Sequence, residues 1–173
     1  MDTPRPGNTP DNTPNPAPDT APDTAREQNL WAPWRMDYIQ SLGPDDQRKG
    51  EQGPACFMCD AVDHLDDPDA CAQRLVIAHD DHALLMMNRY PYTNGHLLVV
   101  PHAHAPELKD LPPDTRHALM DWTDRACILL QDTVNCQGIN VGINLGRCAG
   151  AGVPGHLHVH ILPRWSGDTN FMA

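Results

Sequence analysis

The sequence is short of positive charge. Lys and Arg together number 12 against 23 Asp and Glu in 173 residues, for a formal net charge of −11. A surface of that sign repels a phosphate backbone, which argues against duplex DNA or RNA as a partner. A small phosphorylated ligand is still compatible, because a local pocket can oppose the global sign. Also missing are any apolar run approaching the length of a membrane span and, at the N-terminus, the basic start and apolar stretch of a secretory signal. The expectation is a soluble cytoplasmic protein with no membrane partner. Residues 1–28 have no large apolar residue after Met1 and repeat Asn-Thr-Pro, Ala-Pro-Asp and Asp-Thr units. Such a composition cannot bury enough surface to offset its ordering entropy, so a disordered tail with short polyproline stretches is expected there. The remainder, 29–173, is long enough for one domain with a sizeable core.

Six cysteines are present: Cys56, Cys59, Cys71, Cys127, Cys136 and Cys148. In a reducing cytosol disulfides are disfavoured. Cys71, Cys127, Cys136 and Cys148 lie in apolar or loop contexts and read as small buried hydrophobes or bystanders. Cys56-Phe57-Met58-Cys59 differs, because its two-residue gap lets both thiolates reach one zinc ion. A redox pair is the rival reading. Thioredoxin-like pairs open a helix after a strand, and the preceding Gly53-Pro54-Ala55 does not fit that.

Ordered structure is expected to begin at Leu30-Trp31-Ala32-Pro33-Trp34-Arg35-Met36, an apolar segment suited to lie on the core or on a partner subunit. Strand signals start from Cys71. Leu75–Ala78, Ala83–Asn88 and His96–Pro101 are short apolar runs separated by the turn-like His79–His82 and Pro91–Gly95. Short connections favour an antiparallel meander. A helix is expected after Pro112-Pro113-Asp114, with Leu119, Trp122, Ala126, Leu129 and Leu130 forming one apolar stripe and Gly138 ending the region. Two more strands, Asn140–Leu145 and His156–Pro163, flank the Gly-rich loop Gly146–Gly155. The fold class is therefore α+β, an antiparallel sheet with one main helix packed on one face.

His156-Leu157-His158-Val159-His160-Ile161-Leu162-Pro163 is the most informative segment. In a strand, side chains alternate faces, so the three His share one face while Leu157, Val159 and Ile161 pack on the core. Three such His repel one another when protonated and need partners when buried. They are open to three readings. The strand is solvent-facing with fortuitous His; or all three ligate a catalytic metal, although one flat strand rarely supplies three ligands; or a neutral imidazole acts as a nucleophile. In the last case the neighbouring His and the N–H groups of the Gly-rich loop hold phosphoryl oxygens.

The alternation His-φ-His-φ-His-φ-φ, φ being apolar, resembles the motif of the histidine triad (HIT) superfamily. Asn88–Pro91 with Gly95–Pro101 resembles that family's first nucleotide-binding segment, and Asn144-Leu145-Gly146 with Ala149-Gly150 its phosphate loop. Pro163–Phe171 and the opening Leu30–Arg35 are similar to the diadenosine-polyphosphate branch, which contains fragile histidine triad hydrolases and bacterial diadenosine tetraphosphate phosphorylases. The resemblance spans about residues 30–173. It implies an enzyme in which His158 attacks the α-phosphate of a nucleotide substrate and forms a nucleotidyl-histidine intermediate. It further implies that His160 holds phosphoryl oxygens, that Asn88 contacts the ribose, and that Asn144, Gly150, Ala151 and Gly152 line the phosphate site. His96 lies close to that site or is a satisfied structural His. A homodimer is also implied.

One departure from the family pattern concerns the acceptor. Many family hydrolases carry Ala-Gly-Gln in the phosphate loop, whereas this chain reads Ala149-Gly150-Ala151-Gly152. Without the Gln side chain the loop is more like that of the phosphorylases, where small residues leave room for an incoming phosphate. Arg147 either assists that anion or is a solvated loop charge. The alternatives are a hydrolase of dinucleoside polyphosphates or nucleotide phosphoramidates, a nucleotide-binding regulator of weak activity, and a metal-dependent hydrolase. The resemblance also completes the Cys pair. It implies a structural zinc held by Cys56, Cys59, His104 and His156, with His102 as the local competitor for His104.

Overall fold

The computed structural model describes residues 56–168. The expected tail over 1–28, the Leu30–Met36 segment and the chain after Asp168 lie outside the described residues. The order of elements is α1 (Phe57–Val62), α2 (Pro68–Gln73), β1 (Val76–His79), β2 (Ala83–Met87), β3 (Leu97–Pro101), α3 (Pro113–Val134), β4 (Gly138–Ile143) and β5 (Val159–Arg164), with single 3₁₀ turns at Leu108–Asp110 and Arg147–Ala149. The strands form one antiparallel sheet in the order β1-β2-β3-β5-β4. The α+β expectation thus holds, and the three predicted N-terminal strands appear as a meander.

The sheet is covered on both faces, not one. On the first, Leu85, Leu97, Val99, Val159 and Ile161 pack against Leu119, Trp122, Ala126 and Leu130 of α3. This is the expected apolar stripe, with Leu129 half-buried beside it. On the second face, Leu84, Met86, Leu98 and Val100 pack against Met58 and Ala61 of α1. Alternate residues of β2 and β3 therefore serve opposite cores, so both strands are buried almost throughout. Each large side chain sealed in this way contributes roughly 1.5–3 kcal/mol of transfer free energy.

Several boundaries differ from expectation, each for a local reason. Cys71 sits inside α2 and does not open a strand. Asp67 caps that helix by accepting from the Asp69 and Ala70 N–H groups at 2.9 and 3.3 Å, and Pro68 occupies its first turn. Leu75, with φ +63°, makes the corner that delays β1 to Val76. Asn135, in the left-handed conformation, terminates α3, and Gly138 instead begins β4. Strand β5 starts at Val159, later than the expected His156. The reason lies in the backbone: the Leu157 N–H donates to the Ala105 carbonyl at 2.7 Å and the His156 N–H to Val153, so neither joins the ladder.

Candidate active site and metal centre

Although His156 and His158 precede the ladder, the predicted alternation survives. Leu157, Val159 and Ile161 enter the α3 core, and the three His point the other way. His160 lies opposite Leu98 on β3, so it faces the same side as α1. The His158 and His160 rings meet edge-on with centroids 4.7 Å apart. Both border a cavity of about 330 Å³ between the sheet, α1 and the Gly-rich loop. Gly150, Gly152 and Val153 close it beside the His pair. Met58, Leu75, Met86 and Leu98 form an apolar wall, Asn88 and Tyr92 line the rim, and Asp60 and Arg74 stand in the lining as well. Such a mixture of apolar slab and a few convergent polar groups is typical of small-molecule sites.

His158 is 7% exposed. Its Nδ1 lies 2.9 Å from the His156 carbonyl and must donate to it. The proton is thereby fixed on Nδ1, and Nε2 carries the lone pair. Burial pushes the imidazole pKa below its ordinary value, and the hydrogen bond to the carbonyl only partly opposes this. At neutral pH the ring is uncharged and nucleophilic.

His96 is buried behind His160 and does not line the cavity. Its Nδ1 accepts the Tyr92 backbone N–H at 3.1 Å, with the Asn88 Nδ2 at 3.3 Å. Its Nε2 therefore carries the proton and donates to His160 Nδ1 at 2.9 Å. That leaves His160 Nε2 as an N–H group, which the Asn144 side-chain amide, 3.5 Å away, meets favourably only when turned to present its oxygen. Tyr92 stacks on His96 with centroids 5.3 Å apart, a supporting role that nothing in the sequence signalled. Asn88 accepts the Tyr90 N–H at 2.9 Å, which sets its amide at the rim. Ala151 and Asn144 do not border the cavity, whereas Gly150 and Gly152 do. Gly150 has φ +84°, a conformation that favours glycine and that turns the loop after the 3₁₀ segment. Arg147 is exposed on that segment.

Beyond His158, away from the cavity, the Cys56, Cys59, His104 and His156 donor atoms all lie within 4.8 Å of one another. Cys56 Sγ is 3.3 Å and Cys59 Sγ 3.6 Å from His156 Nδ1, and Cys59 Sγ is 3.1 Å from His104 Nδ1. Tetrahedral zinc, with Zn–S near 2.3 Å and Zn–N near 2.0–2.1 Å, needs donor separations of roughly 3.5 Å, so the four residues fit the ion. His156 Nε2 donates to the Pro101 carbonyl at 2.9 Å, which directs its Nδ1 lone pair at the thiols. Burial, with smaller repulsions from His104 and His158, pushes the His156 pKa down to about 4, keeping it neutral as a ligand must be. Burial and the facing Cys56 raise the Cys59 pKa to about 11. His102 lies instead beside the β1–β2 turn, its N–H donating to the His82 carbonyl at 2.9 Å. Cys56 caps α1, so the pair does bracket a helix start.

The comparisons with known proteins agree with this geometry. A family model described as a HIT domain matches residues 71–167. The chain is 37% identical over 146 residues to the AP-4-A phosphorylase of Mycobacterium tuberculosis, covering 84% of this chain and 72% of that protein. It is also 37% identical over 82 residues to the asymmetrical bis(5'-nucleosyl)-tetraphosphatase of Schizosaccharomyces pombe, covering 47% of this chain and 44% of that one. Among solved structures, a zinc-bound histidine triad family protein from Mycobacterium smegmatis superposes with a TM-score of 0.57 at 31% identity, covering 68% of this chain and 81% of that chain.

Proposed function

Because the chain belongs to the HIT-domain, or histidine triad, family, we propose that it is an enzyme of dinucleoside polyphosphates, that His158 is its nucleophile, and that inorganic phosphate is its preferred acceptor. One observation carries the reading: the His158 Nδ1–H donates to the His156 carbonyl at 2.9 Å, so its Nε2 lone pair is free to attack. With diadenosine tetraphosphate, Nε2 forms a bond to the α-phosphorus while the bond from that phosphorus to the bridging oxygen breaks, and ATP departs. The adenylyl-imidazolium that results keeps its Nδ1–H on the carbonyl, which stabilises the developing positive charge. A phosphate oxygen then attacks the same phosphorus, returns the electron pair to Nε2 and yields ADP.

The other residues take roles in binding and orientation. His160 Nε2–H donates to the non-bridging oxygens, and His96 holds that tautomer from behind. The N–H group of Gly152 cradles the same oxygens, while the Gly150 N–H donates to the Arg147 carbonyl at 2.9 Å and holds the loop's turn. Asn88 meets the ribose and the Met58, Met86 and Leu98 wall takes the base. Acceptor choice follows from the loop: Ala151 and Gly152 offer no side chain to orient a water and leave room for phosphate. The similarity to the mycobacterial phosphorylase supports that preference. Cys56, Cys59, His104 and His156 would hold a structural zinc, which when bound ties α1 to the segment entering β5. Among the described residues no helix is long and apolar enough to cross a membrane. We also propose a homodimer, to be checked by sedimentation equilibrium.

The test is product analysis on diadenosine tetraphosphate with and without phosphate. ADP and ATP forming at a rate that rises with phosphate is the expected result. AMP and ATP forming at a phosphate-independent rate would make the protein a hydrolase instead.

A further inference from the structure

The cavity contains an ion pair that the chemistry above does not use. Arg74 clamps Asp60 in a fork, Nε donating to Oδ2 at 2.7 Å and Nη2 to Oδ1 at 3.0 Å, while Nη1 donates to the Ala70 carbonyl at 3.3 Å. Both side chains line the cavity, and Asp60 remains 43% exposed in the pair. They sit far from the triad. Arg74 precedes β1, and three strand spacings, roughly 14 Å, separate β1 from β5 in the sheet order. The apolar wall lies between. A nucleotide whose phosphate meets His158 and His160 and whose base lies on Met86 and Leu98 therefore points its base edge toward Asp60 and Arg74.

The chemistry of this end is specific. A carboxylate has about four lone-pair positions on its two oxygens, and the guanidinium occupies two. The His64 Nδ1–H goes to the Asp60 carbonyl at 2.7 Å and stands 3.5 Å from Oδ1, so it takes none of the rest. A rigid carboxylate with a spare lone pair on each oxygen matches two parallel donors, the N1–H and N2–H groups of guanine. Adenine offers a single donor there, N6–H, beside the N1 acceptor, which a carboxylate repels.

We infer that Asp60, held by Arg74, reads the base edge of the bound nucleotide and selects for guanine's paired donors. This inference rests on the nucleotide reading of the site and deepens it, because it ranks guanosine above adenosine nucleotides within that substrate class. The ion pair also joins α1 to α2, so the measurement must separate recognition from packing. A ratio of affinities does so, because lost folded protein lowers two ligands equally.

The experiment is calorimetric titration of the full chain with GMP, inosine monophosphate and AMP. Inosine monophosphate differs from GMP only in lacking the 2-amino group. Wild-type protein is expected to bind GMP about tenfold tighter than inosine monophosphate, the value of one charge-assisted hydrogen bond partly screened by solvent. Asp60→Asn, which replaces one acceptor by a donor, is expected to bring the two within about twofold. Arg74→Lys keeps the carboxylate and is expected to preserve most of the ratio. Equal binding of GMP and inosine monophosphate by the wild type, or a ratio unchanged in Asp60→Asn, would overturn the inference. So would binding of AMP with rejection of GMP, which leaves the nucleotide reading standing. Failure of all three ligands to bind would defeat that reading and this inference with it.

Discussion

The Nε2 of His96 lies 2.9 Å from the Nδ1 of His160, and a backbone N–H on the far side of His96 decides which of the two holds the proton. His96→Ala removes that decision while leaving the cavity lining intact. We expect kcat to fall about a hundredfold, within the range for misplacing a catalytic proton, with KM nearly unchanged. His96→Gln, whose amide can still donate to His160, should recover part of the loss. Equal loss in both variants, with KM rising in step, would assign His96 to packing alone.

His158→Ala should abolish turnover by three or more orders of magnitude, since removing a nucleophile acts on the transition state. Nucleotide affinity should change by less than about tenfold, because His158 is one of many groups around the ligand. Steady-state kinetics and titration of the same preparation measure both. Retention of about a tenth of wild-type kcat would exclude a covalent intermediate on this residue.

One zinc per chain is expected on elemental analysis. Cys59→Ser, or prolonged chelation, should lower the melting temperature by at least about 4 °C, because metal held by the native state alone is linked to folding. Purified protein that contains no metal and melts at the same temperature in chelator would refute the site.

Asp80 gives a pH prediction. Burial opposes its ionisation, but the His82 and Ala83 N–H groups at 2.8 and 3.0 Å and the Trp122 Nε1–H at 2.7 Å outweigh it, and its pKa is lowered. A carboxylate with a lowered folded-state pKa adds stability above its unfolded value near 4 and loses it as pH falls through the folded value. Denaturant titrations should therefore show stability dropping on acidification below about pH 4. Asp80→Asn should be less stable at pH 7 and show a shallower acid slope. An identical slope in the variant would contradict the assignment.

Gly95 has φ +78°, and a Cβ there would meet Pro163 Cγ at 3.2 Å and Leu130 Cδ2 at 3.4 Å. Gly95→Ala should cost about 1–2 kcal/mol from the left-handed backbone alone, with any yielding of Pro163 added to it. Chemical denaturation measures this directly, and a change below about 0.5 kcal/mol would mean the turn relaxes freely.

Periodicity carried much of this structure. The stripe from Leu119 to Leu130, the three N-terminal strands and the alternation of Leu157, Val159 and Ile161 all follow from which residues can share a face. The grouping of Cys56, Cys59, His104 and His156 came from family resemblance, since no spacing rule links residues 100 apart. Two kinds of feature were illegible. One is the second sheet face, because residues buried on both sides, as in Leu97–Pro101, show no alternation to reveal what covers them. The other is the Asp60–Arg74 pair, which joins two short helices. Capping at Asp67 and Pro68 could have announced one of them, but its contact with α1 is tertiary.

His156 faces two ways. Its ring belongs to the thiol cluster, and its carbonyl, 2.9 Å from His158 Nδ1, sets the direction of the proposed nucleophile. Anchoring the ring also anchors the peptide plane that bears that carbonyl. Structural upkeep and chemistry thus pass through one residue, and neither can drift independently of the other. If His158 is the nucleophile, a genetic selection that scored turnover alone would return Cys56 and Cys59 as essential positions, although neither lines the cavity.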